Sequence, residues 1–321
     1  PSYMVNGWSF GIRPEVLQKN VNKAKKQGAE IVVLLSHNGF DVDQKLASMI
    51  DGIDVILTGH THDAIPKGIR IKDTLLLSSG SHGKYLGRID LKVKNGKVVD
   101  TSSNLIPVFS DIIPPDPDMT KLINKIRSPY QSECNRVIGE TETLLYRRGN
   151  FNGSWDDVIC DTIIRERDTE ISLSPGFRWG TTLLPGQKIT IDDIYSQTSM
   201  NYPEVYRIEM TGKMIKEILE DVCDNIFNPD PFFQQGGDMV RVGGLTYTCR
   251  PKNKMGNRIS NLRIISSDKP LESNKNYVVG GWGSVNQNVK GPPIYDLLEK
   301  YISEKKIIKN KNLEAVKIVG M

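Results

Sequence analysis

The sequence predicts a layered α/β domain followed by a second, α+β domain, and three observations carry that expectation. Short β-rich apolar runs alternate with helix-spaced patterns through the first hundred residues. Four prolines then fall at 107, 114, 115 and 117. Beyond them, helical and strand patterns alternate again with different loop chemistry.

Pro14 suits the first turn of a helix, and Leu17, Val21 and Ala24 recur at helical spacing before Gly28 closes it. The run 31–35 reads as a buried strand, Asp43–Ile50 as a short helix, and Asp54–Leu57 as a second buried strand. Thr74–Ser78 makes a third strand. Tyr85–Val93 and Lys97–Asp100 flank Asn95-Gly96, a hairpin turn signal. The proline cluster breaks helix and sheet alike, so it marks the domain boundary. The division is therefore 1–112, a bridging segment 113–132 with a helix from about Asp118 to Gln131, and 133–321. In the last part, Ser154–Arg167, Gly212–Phe227 and Ile294–Glu304 read as helices, and Ile171–Ser174, Val205–Thr211 and Tyr277–Gly281 as strands.

Composition excludes several classes. The 321 residues are 38% apolar and 25% charged, ordinary values for a globular chain. The net charge of +4 is small and scattered, which gives no nucleic-acid footprint. The one dense basic stretch, Lys305–Lys311, reads as a solvated helix face. No apolar run approaches the roughly 18 residues of a membrane span. Cys134, Cys160, Cys223 and Cys249 lie far apart, so neither a zinc knuckle nor a dithiol motif is available. The opening Pro1-Ser2-Tyr3-Met4 lacks an initiator methionine and a signal segment, so the reading preferred here is a sequence that starts within a longer protein.

The four histidines, His37, His60, His62 and His82, all fall in the first domain. His37 follows one predicted strand, and His60 and His62 follow the next. In open α/β sheets, ligands gather at the carboxyl ends of strands, so three imidazoles converge on one crevice. If Gly59-His60-Thr61-His62 is extended, its two rings point the same way and reach one metal centre or a close pair. His82 reads as a loop residue near the site. A two-metal site also needs a bridging carboxylate, and Asp41, Asp43 and Asp63 read as loop and helix-cap residues. The remaining ligands are therefore expected upstream of Pro1.

The second domain offers three Gly-flanked loops: 176–180 with Arg178 and Trp179, 236–244 with Asp238 and Arg241, and 280–283 with Trp282. A guanidinium fork matches a tetrahedral oxyanion, and flat aromatic rings can wall a slot. Each also has an ordinary role: Arg178 paired to a surface acid, Arg241 structural, Trp282 packed.

Ser36–Gly39, Gly59–His62 and the domain order resemble the 5′-nucleotidase family of metallophosphoesterases. The stretches Leu145–Gly153, Ser174–Gly186, Asn228–Asp230 and Gln234–Tyr247 resemble its SoxB thiosulfohydrolase branch. That resemblance implies the C-terminal half of a metal-binding domain followed by a substrate domain. It also implies two divalent metals, Mn2+, with His37, His60 and His62 as ligands. Arg178 and Arg241 would be the catalytic oxyanion clamp, with Trp179, Asp238 and Trp282 completing the substrate site. The implied substrate is a cysteine S-thiosulfonate on a SoxYZ-type carrier protein in the periplasm. The alternatives are a 5′-nucleotidase or nucleotide-sugar hydrolase, whose base slot could draw on Phe232, Phe233, Trp179 and Trp282, and a noncatalytic binding protein.

Overall fold

The computed structural model describes residues 6–8, 10–147, 149–284, 290–310 and 315–320. The opening Pro1–Met4, Arg148 in the 145–153 stretch, and Lys311 at the end of the basic run lie outside the described residues. The chain forms two units, one from residues 1–117 with 228–236 and one from 118–227 with 237–321. The inclusion of 228–236 with the first unit has no counterpart in the sequence pattern.

The first unit carries α1 (Pro14–Lys26), β1 (Val33–Ser36), α2 (Phe40–Met49), β2 (Val55–Thr58), β3 (Ile69–Ile71), β4 (Thr74–Ser78), β5 (Tyr85–Lys94) and β6 (Lys97–Pro107). The sheet order is β1-β2-β4-β3. The first three strands are parallel, so β1, β2 and β4 end on the same edge. Val21 of α1 and Leu46 and Ala47 of α2 pack with Ile53, Ile56 and Leu76 to form the core on one face. Phe232 joins that core from the 228–236 segment.

One expectation needs correction. The run 31–35 has the composition of a buried strand, yet Leu35 is 82% exposed and Val33 52%. β1 alternates because only one face of its edge position is covered by described residues. Parallel sheets are ordinarily covered on both faces, and sequence hydrophobicity registers that intended burial, not the cover present. β5 and β6 form the expected hairpin around Asn95-Gly96, and β6 runs on to Pro107.

The second unit contains most of α3 (Pro117–Arg127), then α4 (Gln131–Cys134), β7 (Val137–Thr141), α5 (Ser154–Arg167), β8 (Ile171–Ser174), β9 (Lys188–Thr190) and α6 (Ile191–Thr198). After these come β10 (Tyr206–Thr211), α7 (Gly212–Phe227), β11 (Arg241–Gly243), β12 (Leu245–Cys249), β13 (Ile259–Ile264) and β14 (Lys269–Pro270). β15 (Asn276–Gly281), α8 (Ile294–Lys305), β16 (Ile307–Ile308) and β17 (Val316–Ile318) complete it. Its sheets run β10-β15-β8-β11, β14-β13-β12-β17 and β16-β7-β9. One core gathers Trp155, Ile159, Leu298 and Ile302 between α5 and α8; a second gathers Ile171, Leu219, Leu245 and Val279 around α7.

The basic run is the other correction. α8 stops at Lys305, Lys306 turns the chain at φ 62°, and Ile308 is buried in β16. Lys305–Lys311 is therefore not one helix face. Lysine spacing alone carries no signal for the left-handed turn. Among the described residues, no helix is long and apolar enough to cross a membrane.

Candidate functional site

The carboxyl ends of β1, β2 and β4 each deliver histidine. His37 follows Ser36, His60 and His62 follow Thr58, and His82 lies four residues beyond Ser78. The His37 and His60 rings meet edge to face with centroids 5.1 Å apart, and His62 meets His82 at 5.7 Å. All four rings thus make a contact with another imidazole.

The loop that carries two of them is not extended. His60 and His62 have φ of 79° and 61°, and His82 has 59°. Positive φ is uncommon for residues other than glycine, and such strain clusters at functional sites. The left-handed turns separate His60 from His62, so each ring joins a different neighbour. The loop therefore lacks the extended alternation on which placing both rings at one centre or a close pair rests. Gly59 eases the close approach: a Cβ there would sit 3.1 Å from His37 Nδ1, and the ring would have to give slightly.

Asp43 ties the strand ends together. Its fully buried carboxylate accepts hydrogen bonds from Ser36 Oγ at 2.8 Å, Asn38 Nδ2 at 3.3 Å and Thr58 Oγ1. Those hydroxyls end β1 and β2, so one buried acid holds the two strands that present His37 and His60. The helix-cap reading of Asp41 and Asp43 is corrected: the N-cap of α2 is Gly39, with no side-chain cap. Burial and the charge of Asp63 push the Asp41 carboxyl above its ordinary value. A link from a strand-end serine to an inward acid seven residues on could be sought in Ser36 and Asp43; only the turn at Gly39 makes it visible.

Imidazoles are suitable donors for manganese, iron or zinc when oxygen ligands complete the shell. His60 Nε2 lies 2.7 Å from the Gln235 carbonyl oxygen, which leaves Nδ1 as its lone-pair atom. The donor chemistry fits a cation. The described residues alone do not complete its shell, since no three His, Cys, Asp or Glu side chains converge as a metal-holding group among them. The expected trio of His37, His60 and His62 is therefore divided between two imidazole pairs.

In the second unit, the loop arginines belong to a buried line of alternating charge. Arg147 Nε donates to Asp156 Oδ1 at 2.9 Å, and Arg241 Nε lies 3.2 Å from Asp156 Oδ2. Arg241 Nη2 reaches Asp238 Oδ2 at 3.0 Å, and Arg178 Nε lies 3.6 Å from Asp238 Oδ1. Arg241 also donates to the Gly149 carbonyl at 2.6 Å, and its side chain is 1% exposed. Its guanidinium is engaged inside the unit, so Arg241 holds Asp238 where a direct oxyanion clamp was expected. Arg178, 14% exposed, is the outermost member. Arg147 and Asp156 escape a reading of the sequence because an Arg beside Arg148 and an acid in a helix's first turn look like solvated charge.

The aromatic residues are also redistributed. Phe177 stacks on Trp179 at 3.8 Å and meets Trp282 edge-on at 5.9 Å. Trp282 is 3% exposed and donates Nε1–H to Ser174 Oγ at 2.8 Å. The two tryptophans expected as slot walls are thus each packed on Phe177. Phe232 is packed in the first unit's core, whereas Phe233 is exposed.

Asp157, next to Asp156 on α5, accepts from Asn310 Nδ2 at 2.8 Å, and burial pushes its carboxyl up to about 6. A folded-state value above the ordinary 3.8 means that the folded chain binds more protons between about pH 4 and 6. Stability contributed by this group is full below that window and is lost as pH rises through it. Asp157→Asn keeps an acceptor for Asn310 and removes the charge. We expect it to gain about 1–2 kcal/mol above pH 6 and to flatten the stability slope across the window, measured by urea titration at several pH values.

Residues 137–283 match the family described as 5′-nucleotidase, C-terminal domain. Over its whole length the chain superposes on a sulfate thiohydrolase SoxB structure from Thermus thermophilus, with a TM-score of 0.93 and 35% identity, covering 60% of that chain. The chain carries a 5′-nucleotidase C-terminal domain and is SoxB-like along its whole length. The fold of a 5′-nucleotidase precursor, also from Thermus thermophilus, is shared as well, with a TM-score of 0.83 at 19% identity, covering 98% of this chain and 68% of that one. The trifunctional nucleotide phosphoesterase YfkN of Bacillus subtilis is 25% identical over 77% of this chain and 17% of its own length. Human 5′-nucleotidase is 22% identical over 91% of this chain and 59% of its own. The SoxB-like chain therefore spans only part of each of these three proteins: SoxB, YfkN and the human enzyme.

Proposed function

We propose that this SoxB-like chain supplies the histidine edge and the substrate domain of a dinuclear-metal thiosulfohydrolase. The observation that carries the reading is the 35% identity to SoxB across the entire chain. The reaction is hydrolysis of a cysteine S-thiosulfonate on a carrier protein. Water oxygen bonds to the sulfonate sulfur, the sulfur–sulfur bond to the sulfonate breaks, and the carrier persulfide leaves with the electron pair as sulfate is released.

His37, His60 and His62 would hold the metals, which we assign as Mn2+, together with ligands outside the described residues. Bound divalent metals supply Lewis acidity and lower the pKa of water. The chain's own contribution is positional. Asp43 holds the ends of β1 and β2, and the line of buried charge holds Arg178. Arg178, at the outer end of that line, is the guanidinium that suits an anionic sulfonate. The periplasm and a SoxYZ-type carrier belong to the same proposal.

A nucleotidase reading has support from the relatives named for nucleotides. Against it stands the higher identity to SoxB, 35% over the whole chain against 25% and 22% to these nucleotide-named relatives. The deciding measurement uses the complete gene product with Mn2+ and compares sulfate release from a carrier thiosulfonate with phosphate release from AMP. Sulfate release is expected; AMP turnover without sulfate release would overturn the proposal, and activity on neither would favour the noncatalytic alternative.

A further inference from the structure

The segment 228–236 contacts the histidine edge through its backbone. Gln235 places its carbonyl oxygen 2.7 Å from His60 Nε2. A carbonyl only accepts, so Nε2 carries the hydrogen and the lone pair of the neutral ring resides on Nδ1. The partner of a histidine's second nitrogen determines its tautomer and ring orientation.

The segment is built to hold that carbonyl still. Asp230 Oδ1 accepts from Phe232 N at 2.9 Å, and Asn228 Oδ1 accepts from Asp230 N at 2.9 Å. Gln234 Nε2 closes the loop on the Asn228 carbonyl at 2.7 Å. Lys45 of α2 pairs with Asp230 at 2.5 Å and lies 4.1 Å from the Phe232 ring centroid. Phe232 also packs into the core beneath the sheet. Gly236 then adopts φ +71°, and a Cβ there would meet His60 Nε2 at 2.6 Å and Cδ2 at 2.7 Å. Only glycine lets the backbone lie against the imidazole.

We infer that 228–236 is a strap whose Gln235 carbonyl is a positioning group, locking His60 as the Nε2–H tautomer with Nδ1 presented for ligation. The tautomer stands on the geometry alone; the use of Nδ1 for a metal rests on the function proposed above. The carbonyl never touches the reacting atoms.

Four histidines make the test tractable. In chain labelled with 15N-histidine and free of metal, long-range 1H–15N spectra at high pH report each tautomer, with His60 assigned by loss of its signals in His60→Gln. The Nε2–H form of His60 is expected to dominate. Gly236→Ala, which pushes on the ring, and Asp230→Ala, which releases Lys45 and the Phe232 amide, are both expected to return it toward a mixture. Circular dichroism identifies any variant that fails to fold, and Asp230→Ala is the milder of the two. In the complete gene product, Mn2+ titrated alone should bind the folded variants roughly 10–100-fold more weakly, the range typical for an outer-shell partner. An Nδ1–H tautomer in the parent chain, or a tautomer unchanged in a folded variant, overturns the inference. A correct tautomer with unchanged Mn2+ affinity would retain the strap and refute its role toward metal.

Discussion

Asp156→Ala is expected to cost on the order of 3–5 kcal/mol, the loss typical when one partner of a buried ion pair is removed. Asp156 is 1% exposed and lies between Arg147 and Arg241, each itself almost fully buried. Burial pushes the Asp156 carboxyl upward and the Arg147 guanidinium downward, so both charged forms depend on each other in the folded state. Removing the acid leaves two desolvated cations facing each other. Urea unfolding should show a lower midpoint with an unchanged slope. Asp156→Asn keeps the shape and should lose nearly as much, since charge is the missing element. Asp156→Ala combined with Arg241→Met should lose less than the two single changes summed. A stability within about 0.5 kcal/mol of the parent for Asp156→Asn, the range of an ordinary surface change, would show that the Asp156 charge does not stabilise the buried line.

The second large effect concerns His37 and His60. In the complete gene product, His37→Ala or His60→Ala should reduce metal content and lower sulfate release by more than the roughly 10–100-fold that an outer-shell partner contributes. Their rings meet at 5.1 Å on adjacent strand ends, so deleting either removes half of that pair. His82→Ala is expected to be milder, because its Nδ1 already contacts Ser81 Oγ at 2.8 Å and it follows β4, which is separated from β1 by β2. Metal per chain by mass spectrometry, measured beside turnover, separates lost metal from misfolding. Parent-level metal and turnover in both variants would remove these imidazoles from the chemistry.

Much of the local structure is legible in the residues. Ser154–Arg167 and Gly212–Phe227 occupy the spans their periodicity predicts, and Ile171–Ser174, buried at every position, occupies the strand span expected of it. The hairpin at Asn95-Gly96 follows from two residues that accept positive φ. Small strands such as β9, β14 and β16 escape that reading. At two or three residues they have too few positions to establish a period, and β9 and β16 pair with β7 far along the chain.

The candidate site divides in the same way. That histidines should stand at strand ends follows from apolar runs ending in Ser-His and Thr-Gly-His, a local pattern. Which ring meets which does not, because it turns on left-handed backbone at His60, His62 and His82. The arginines show the strongest contrast. Arg178 and Arg241 have similar Gly-rich surroundings in sequence, yet one is partly exposed and the other is enclosed by Asp156 and Asp238.

By itself, then, the amino-acid order determines element types, the β1–β2–β4 edge as the place for imidazoles, and the family whose motifs fill the second unit. Tertiary structure alone decides that Asp43 joins two strand ends, that Arg147 and Asp156 continue the line to Arg178, and that a segment beginning at Asn228 reaches His60. The physical reason is range. Propensity and periodicity act within a few residues, whereas a buried charge or a carbonyl against an imidazole is determined by which distant groups desolvate it together.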